Sequence, residues 1–108
     1  MALFMLQGTY TSEAWAAQLK NPQDRRPVFR GLVEKFGGTL RDAYLTLGES
    51  DIVVIYEAPD AKAAAGVGMA LAGAGHVRSV KTTAMVSVED AVEAMRKAGD
   101  ISYQTPGR

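Results

Sequence analysis

The stretch TLRDAYLTLGESDIVVIYEA, residues 39–58, decides the fold. Apolar and polar residues alternate over residues 40–47, and residues 52–56 form a β-branched run that ends in an aromatic side chain, so both segments have the pattern of strands. The intervening residues 48–50, GES, predict a tight turn in which Gly48 supplies the required backbone freedom. The stretch therefore predicts a β-hairpin.

Strand alternation assigns the hairpin residues to two faces, here with Gly48 placed opposite Asp51. One face is apolar apart from one hydroxyl, and we predict that it packs on the core: Ala43, Leu45, Leu47, Ile52, Val54 and Tyr56. The other face mixes carboxylates and a phenol with aliphatic residues: Asp42, Tyr44, Thr46, Asp51, Val53, Ile55 and Glu57. This mixture suits the wall of a half-buried pocket. A register slip of one residue would exchange the two faces.

A helix broken in two is predicted between a first strand, residues 3–10, and the hairpin. Thr11 or Ser12 caps the first piece, and the Asn-Pro sequence at residues 21–22 interrupts the helix. The second piece has the clearest helical periodicity in the chain. Its apolar stripe, predicted to be core, consists of Val28, Phe29, Leu32, Val33 and Phe36.

Two helices and one strand are predicted after the hairpin. Residues 61–72 form a helix of small residues that contains Gly66 and Gly68. Each internal glycine costs about 1 kcal/mol relative to alanine, and we predict that close approach to the sheet or to a partner subunit compensates. Residues 76–86 form the fourth strand, and a capping box at residues 87–90 begins a last helix.

The element order predicts a ferredoxin-like βαββαβ fold of the α+β class with an extra C-terminal helix. Its four-stranded antiparallel sheet carries helices on one face only. Because the other face is partly apolar, we expect two sheets to meet in a homodimer or a higher oligomer of dimers. Residues 1–98 are predicted to form one domain, and residues 99–108 a polar tail.

Several short motifs resemble the GYD domain family. They are LGESD at 47–51, TYT at 9–11, NPQDR at 21–25, VVI at 53–55, EAPD at 57–60 and VKTT at 80–83. Gly48 and Asp51 match the family motif, whereas Ser50 stands where the family has tyrosine. The resemblance covers the chain to about Ala98 and implies a fold of the dimeric α+β barrel group. It implies no particular chemistry.

The composition excludes several classes of partner. The 108 residues contain 12 lysine plus arginine and 12 aspartate plus glutamate, so no basic excess favours nucleic acid. The small cluster Arg25, Arg26 and Arg30 is predicted to be a solvated helix edge. No run is long and apolar enough to span a membrane, and the absence of cysteine suits the reducing cytoplasm.

No cofactor or metal is predicted. The glycine-rich residues 66–71 lack the third glycine of a dinucleotide fingerprint, and residues 68–75 lack the lysine of a phosphate loop. His76 is the only histidine, and without cysteine it favours no zinc site.

The candidate site residues come from the hairpin and from the start of the last strand. We predict that Tyr44, Thr46, Val53 and Ile55 bind a small apolar ligand. His76, Glu57 and Asp42 are the candidates for acid–base catalysis, the two carboxylates facing each other across the hairpin unless a cation bridges them. Gly48 and Asp51 are assigned to the turn, where the Asp51 carboxylate would accept backbone N–H groups.

Three functions remain open from the sequence. The first is a small-molecule-binding protein. The second is a cofactor-independent enzyme of the dimeric barrel type, isomerase or monooxygenase-like. The third is an interaction module whose product is its own oligomer. No complete catalytic constellation is visible in the sequence, so the enzyme is an alternative to the binding protein.

Overall fold

A computed structural model describes residues 1–107, which fold into four strands and four helices. The strands are β1 (Ala2–Tyr10), β2 (Thr39–Leu45), β3 (Ile52–Ala58) and β4 (Val77–Met85). The helices are α1 (Ser12–Lys20), α2 (Arg26–Lys35), α3 (Ala61–Gly73) and α4 (Val88–Gly99). Part of the predicted tail follows α4, but Arg108 lies outside the described residues, and the proposed domain boundary stays a prediction.

The strands form one antiparallel sheet in the order β2-β3-β1-β4. Helices α1, α2 and α3 cover the same face of the sheet. Helix α2 packs on β2 and β3, whereas α3 packs mainly on β4. The predicted ferredoxin-like α+β fold with an additional C-terminal helix is therefore confirmed.

Side-chain caps begin three of the helices, and those of α1 and α4 stand where the sequence predicts them. The Thr11 Oγ1 accepts the amide N–H of Ala14 at 3.1 Å, and the Ser87 Oγ accepts that of Asp90 at 3.1 Å. Before α3, an Asp60 carboxylate oxygen accepts the N–H of Ala63 at 2.9 Å. Each cap satisfies an amide that the helix itself leaves unpaired.

The core lies between the sheet and helices α1, α2 and α3. In β3, buried and half-buried residues alternate strictly, so that one face points into the core. The buried core residues are Phe4, Leu6, Tyr10, Ala14, Phe29, Val33, Ile52, Val54, Tyr56, Ala58, Ala64 and Val67. The opposite face of the sheet, here called the open face, includes Leu3, Met5, Gln7, Tyr44, Val53, Ile55, Glu57, Thr83 and Met85.

The predicted hairpin forms, with its faces as expected but with a longer connection. Ala43 pairs with Val54 and Tyr44 with Val53, two positions away from the predicted pairing. A shift of two residues preserves the faces, because side chains alternate with period two. Two residues of the predicted core face are exceptions: Leu45, at the end of β2, is 63 % exposed, and Leu47 lies in the loop 46–51 and is fully exposed.

Helices α2 and α3 converge at one end, where Gly66 lies against the ring of Phe36. A Cβ at this glycine would clash with the ring, so the missing side chain allows the contact. The neighbour of Gly66 is thus Phe36, the residue that follows α2, and not the sheet or a partner subunit as predicted. At Gly68, an added Cβ would make an ordinary contact of 3.5 Å with the Thr82 Oγ1 of β4.

Helix α4 extends away from the rest of the molecule. None of its residues is buried, and its apolar residues Val88, Val92 and Met95 are exposed. The radius of gyration is 17.6 Å, compared with about 13 Å for a compact chain of about 100 residues. Among the helices of residues 1–107, none has the length and apolar character needed to cross a membrane.

Candidate ligand-binding site

A cavity of about 520 Å³ lies on the helix side of the sheet, between α2 and the last turn of α3. Its floor comes from the strands: Leu6 and Gly8 of β1, Ile52 of β3, and Val77 and Val80 of β4. Its walls come from the helices and include Val28, Gly31, Leu32, Ala70, Leu71 and Ala74. Small-molecule sites occupy about 300–1,000 Å³ and are lined mainly by apolar side chains, so this cavity has the size and character of such a site.

Small residues leave the space unfilled. Gly31 faces it from α2, and a Cβ added there would meet no atom within 4 Å. Ala70 and Ala74 face it from the end of α3. Val28 belongs to the stripe predicted as core, but its side chain is 52 % exposed and borders the cavity. The stripe therefore supplies core residues, Phe29 and Val33, and also part of a cavity wall.

One end of the cavity is polar and is formed by Tyr10, Arg25 and His76. The same three residues border an adjoining recess of about 80 Å³ near α1. Arg25 precedes α2, and its guanidinium lies 6.0 Å from the centre of the Phe29 ring. Its Nε atom is buried and has no hydrogen-bond partner within the described chain. Burial raises the pKa of the Tyr10 phenol, although the nearby Arg25 partly offsets this effect.

Asp51 fixes the strand end that carries Tyr10. Its Oδ2 accepts the backbone N–H of Tyr10 at 2.9 Å and the Nε1–H of Trp15 at 3.2 Å. The pairing between β1 and β3 ends at Gly8 opposite Ile52, so the Asp51 carboxylate serves the Tyr10 amide beyond the end of the ladder. The Asp51 carboxylate was expected to accept backbone N–H groups of the turn. It instead accepts from β1 and α1, and so it joins the hairpin loop to these two elements. Gly48 remains in the loop, with a φ of +156°.

The predicted ligand-binding residues lie on the other side of the sheet from this cavity. Tyr44 and Val53 pair on the open face, where Ile55 is also half-buried. Thr46 lies in the loop, and its hydroxyl donates to the Ser50 carbonyl oxygen at 2.7 Å. Binding at the open face stays a prediction.

The candidate catalytic residues are not brought together. His76 borders the helix-side cavity, whereas Asp42 and Glu57 belong to the open-face side of β2 and β3. Asp42 pairs with Ile55, so the two carboxylates do not face each other. A cation approaches each of them instead: the Arg41 Nη1 lies 3.0 Å from a Glu57 oxygen, and the Arg26 Nη1 lies 3.7 Å from an Asp42 oxygen.

Arg25 is the site residue that the sequence analysis assigned wrongly. Arg26 and Arg30 are exposed as predicted for a helix edge, but Arg25 is half-buried. Arg26 binds Asp24 with a shortest N–O distance of 2.7 Å, and its hydrogen bonds lower the pKa of Asp24 to about 2. The available signal for Arg25 was its spacing of four residues from Phe29, which places a cation beside an aromatic ring.

The βαββαβ order and the antiparallel sheet, covered by helices on one face, define a ferredoxin-like α+β domain. Within residues 1–107, no group of three or more histidine, aspartate or glutamate side chains is placed to hold a metal ion. The family model of the GYD domain matches residues 4–95. The chain therefore belongs to the GYD domain family, as its motifs indicate.

Several solved structures are similar to this chain, and MtbAldR and FFRP-DM1 support the fold. MtbAldR is 14 % identical with a TM-score of 0.57, and the match covers 80 % of this chain and 52 % of that chain. The protein thus spans about half the length of MtbAldR. FFRP-DM1 is also 14 % identical, with a TM-score of 0.51, and the match covers 80 % of this chain and 100 % of that chain. A NIPSNAP domain protein from Burkholderia xenovorans is 13 % identical over 82 % of this chain and 95 % of its own, with a TM-score of 0.46. No curated protein sequence matches significantly.

Proposed function

We propose that this GYD domain is a small-molecule-binding protein and that its ligand occupies the cavity between α2 and α3. The observation that carries the proposal is the cavity itself, about 520 Å³ in volume, with apolar walls and three polar residues at one end. Apolar walls bury the body of a ligand, and a few convergent polar groups orient it. The acid–base candidates on opposite sides of the sheet do not favour the enzyme alternative.

We propose in addition that the protein is a homodimer or a higher oligomer of dimers. The support is the open face, where Met5, Val53 and Ile55 are half-buried although no helix covers them. A second copy of the sheet would remove these side chains from water. It would also enclose Tyr44, which is 56 % exposed, so a sheet-face pocket would exist only in the assembled protein.

The binding proposal is tested with the neutral fluorescent probe phenylnaphthylamine, titrated against the full chain. We expect saturable binding that the substitution Ala70→Phe abolishes, because the larger side chain would fill the cavity from α3. Ala16→Phe is the matched control: Ala16 is exposed on α1 and does not border the cavity. Absence of binding, or equal binding by both variants, would refute the proposed site.

The assembly proposal is tested by sedimentation equilibrium at micromolar concentration. We expect a species at a multiple of the 11.5 kDa subunit mass, and a shift toward the monomer in Ile55→Lys, which places a charge on the open face. Ala16→Lys, which places the same charge on exposed α1, is expected to leave the mass unchanged. A wild-type protein that sediments only as a monomer would contradict the proposal.

A further inference from the structure

We infer that the ligand of this cavity is a monoanion with an apolar body, such as a medium-chain or aromatic carboxylate, and that Arg25 binds its anionic group. This inference rests on the proposed binding function and adds the chemical class of the ligand. It follows from the charges that border the cavity, from the bonding state of Arg25 and from the apolar character of the walls.

The charged residues around the cavity are all basic. Arg25 lies at the polar end, and Lys35 of α2 lies on the border. Among residues 1–107, no aspartate or glutamate borders the cavity. A cavity with charged groups of one sign and low-dielectric walls concentrates the field that they produce, and this field attracts a ligand of the opposite charge.

The nearby carboxylates are occupied by other groups. Asp51 directs its Oδ2 to the amide of Tyr10 and to the indole of Trp15. Asp24 is bound by Arg26. Within residues 1–107, no carboxylate oxygen lies within ion-pairing distance of Arg25. The positive charge of this half-buried guanidinium is therefore uncompensated on the protein side.

An anionic ligand would provide the missing compensation. The buried Nε–H of Arg25 has no acceptor, and the planar guanidinium presents parallel N–H groups that match the two oxygens of a carboxylate. The Tyr10 phenol beside it, whose pKa is raised by burial, is available as a further donor. Such a ligand would extend its body toward Val28, Leu32 and Leu71.

The apolar walls distinguish this ligand from a phosphorylated or sugar-like one. Beyond the polar end and Lys35, the border consists of aliphatic, aromatic, proline and glycine residues. A sugar or a nucleotide would leave its hydroxyl groups without partners against these walls, which is unfavourable. A ligand with one anionic group on a hydrocarbon body would place the anion at the polar end and the body against the apolar walls.

The test compares two matched pairs of ligands. Phenylnaphthylamine is paired with anilinonaphthalene sulfonate, and decanol is paired with decanoate as competitors of the bound probe. We expect each anion to bind about tenfold or more tightly than its neutral counterpart, as a charge-assisted hydrogen bond provides. Arg25→Met, which keeps the aliphatic stem, should remove this preference without weakening the neutral ligands. Arg30→Met, on the exposed side of α2, should retain it.

Each outcome decides a separate point. Equal affinity for the neutral and anionic members would overturn the inference and leave the binding function intact. Absence of binding by all four compounds would overturn the binding function as well. An anion preference that survives Arg25→Met in a folded variant would overturn the role of Arg25. Arg25→Gln is measured in parallel, so that a folding defect of the methionine variant does not prevent the comparison.

Discussion

Replacement of Asp51 by alanine tests how the hairpin loop is attached to the rest of the fold. The substitution removes two hydrogen bonds that end on one carboxylate oxygen, from the Tyr10 amide at 2.9 Å and the Trp15 indole at 3.2 Å. A hydrogen bond to a charged group contributes about 1.5–3 kcal/mol. Tyr10 is buried and loses its acceptor entirely, whereas the half-buried Trp15 can turn to water. We therefore expect Asp51→Ala to lower the free energy of unfolding by about 2–4 kcal/mol.

Urea unfolding at a fixed protein concentration measures this loss. With a slope of about 2 kcal/mol/M, the midpoint should fall by about 1–2 M. Trp15 is the only tryptophan, so its fluorescence reports directly on the attachment, and circular dichroism reports on the whole domain. Asp51→Asn keeps a neutral acceptor oxygen and should lose about half as much.

Trp15→Phe separates the two hydrogen bonds, because it removes the indole donor and leaves the Tyr10 amide bonded. In combination with Asp51→Ala, it should cost less than the sum of the single losses. A change in unfolding free energy below about 0.5 kcal/mol for Asp51→Ala, typical of a surface substitution, would refute the reasoning. Equal losses of unfolding free energy in Asp51→Ala and Asp51→Asn would show that the carboxylate does not act by accepting hydrogen bonds.

The remaining expectations concern packing, a buried phenol and the loop. Gly66→Ala should destabilise by about 2 kcal/mol through its clash with Phe36, whereas Gly68→Ala should stabilise by up to about 1 kcal/mol; the opposite order in urea unfolding would contradict the α2–α3 contact. Tyr56 carries a buried hydroxyl without a partner, so Tyr56→Phe should unfold no more easily than the wild type. Burial raises the pKa of Tyr56; the native state therefore retains its proton longer, and wild-type stability should fall as the pH rises above about 10, less steeply in the variant. Ser50→Tyr should remain soluble and folded, and its loss from the soluble fraction would show that the loop encloses this position.

The fold could be predicted because several local signals agree. Alternation over β2 and β3 fixes which side chains face the helices, and this assignment survives a pairing error of two residues, since the faces repeat every two. The length of the hairpin loop could not be predicted in the same way. Leu47 continues the alternating pattern, but the hydrogen bond from the Thr46 amide to the Asp51 carbonyl oxygen, 2.9 Å long, closes the loop before it.

The cavity could not be predicted from the sequence, because it depends on the angle between two helices. Periodicity identifies the apolar side of α2, but it does not give the distance between that side and α3. Gly66 brings the helices together at one end, and Gly31 and Ala70 fail to fill the space at the other. The burial of Arg25 could not be predicted for the same reason: whether an arginine at a helix start is solvated or enclosed depends on its neighbours in three dimensions.

The isolation of α4 has a consequence for how the last part of the chain acquires its structure. This helix has 12 residues, no buried side chain and favourable charges at both ends, Glu89 and Asp90 in the first turn and Arg96 and Lys97 in the last. Helices shorter than about 12–15 residues are only marginally stable in water without tertiary contacts. Its helical content should therefore be lower than that of the helices that pack on the sheet, and contact with a surface that accepts Val88, Val92 and Met95 should raise it.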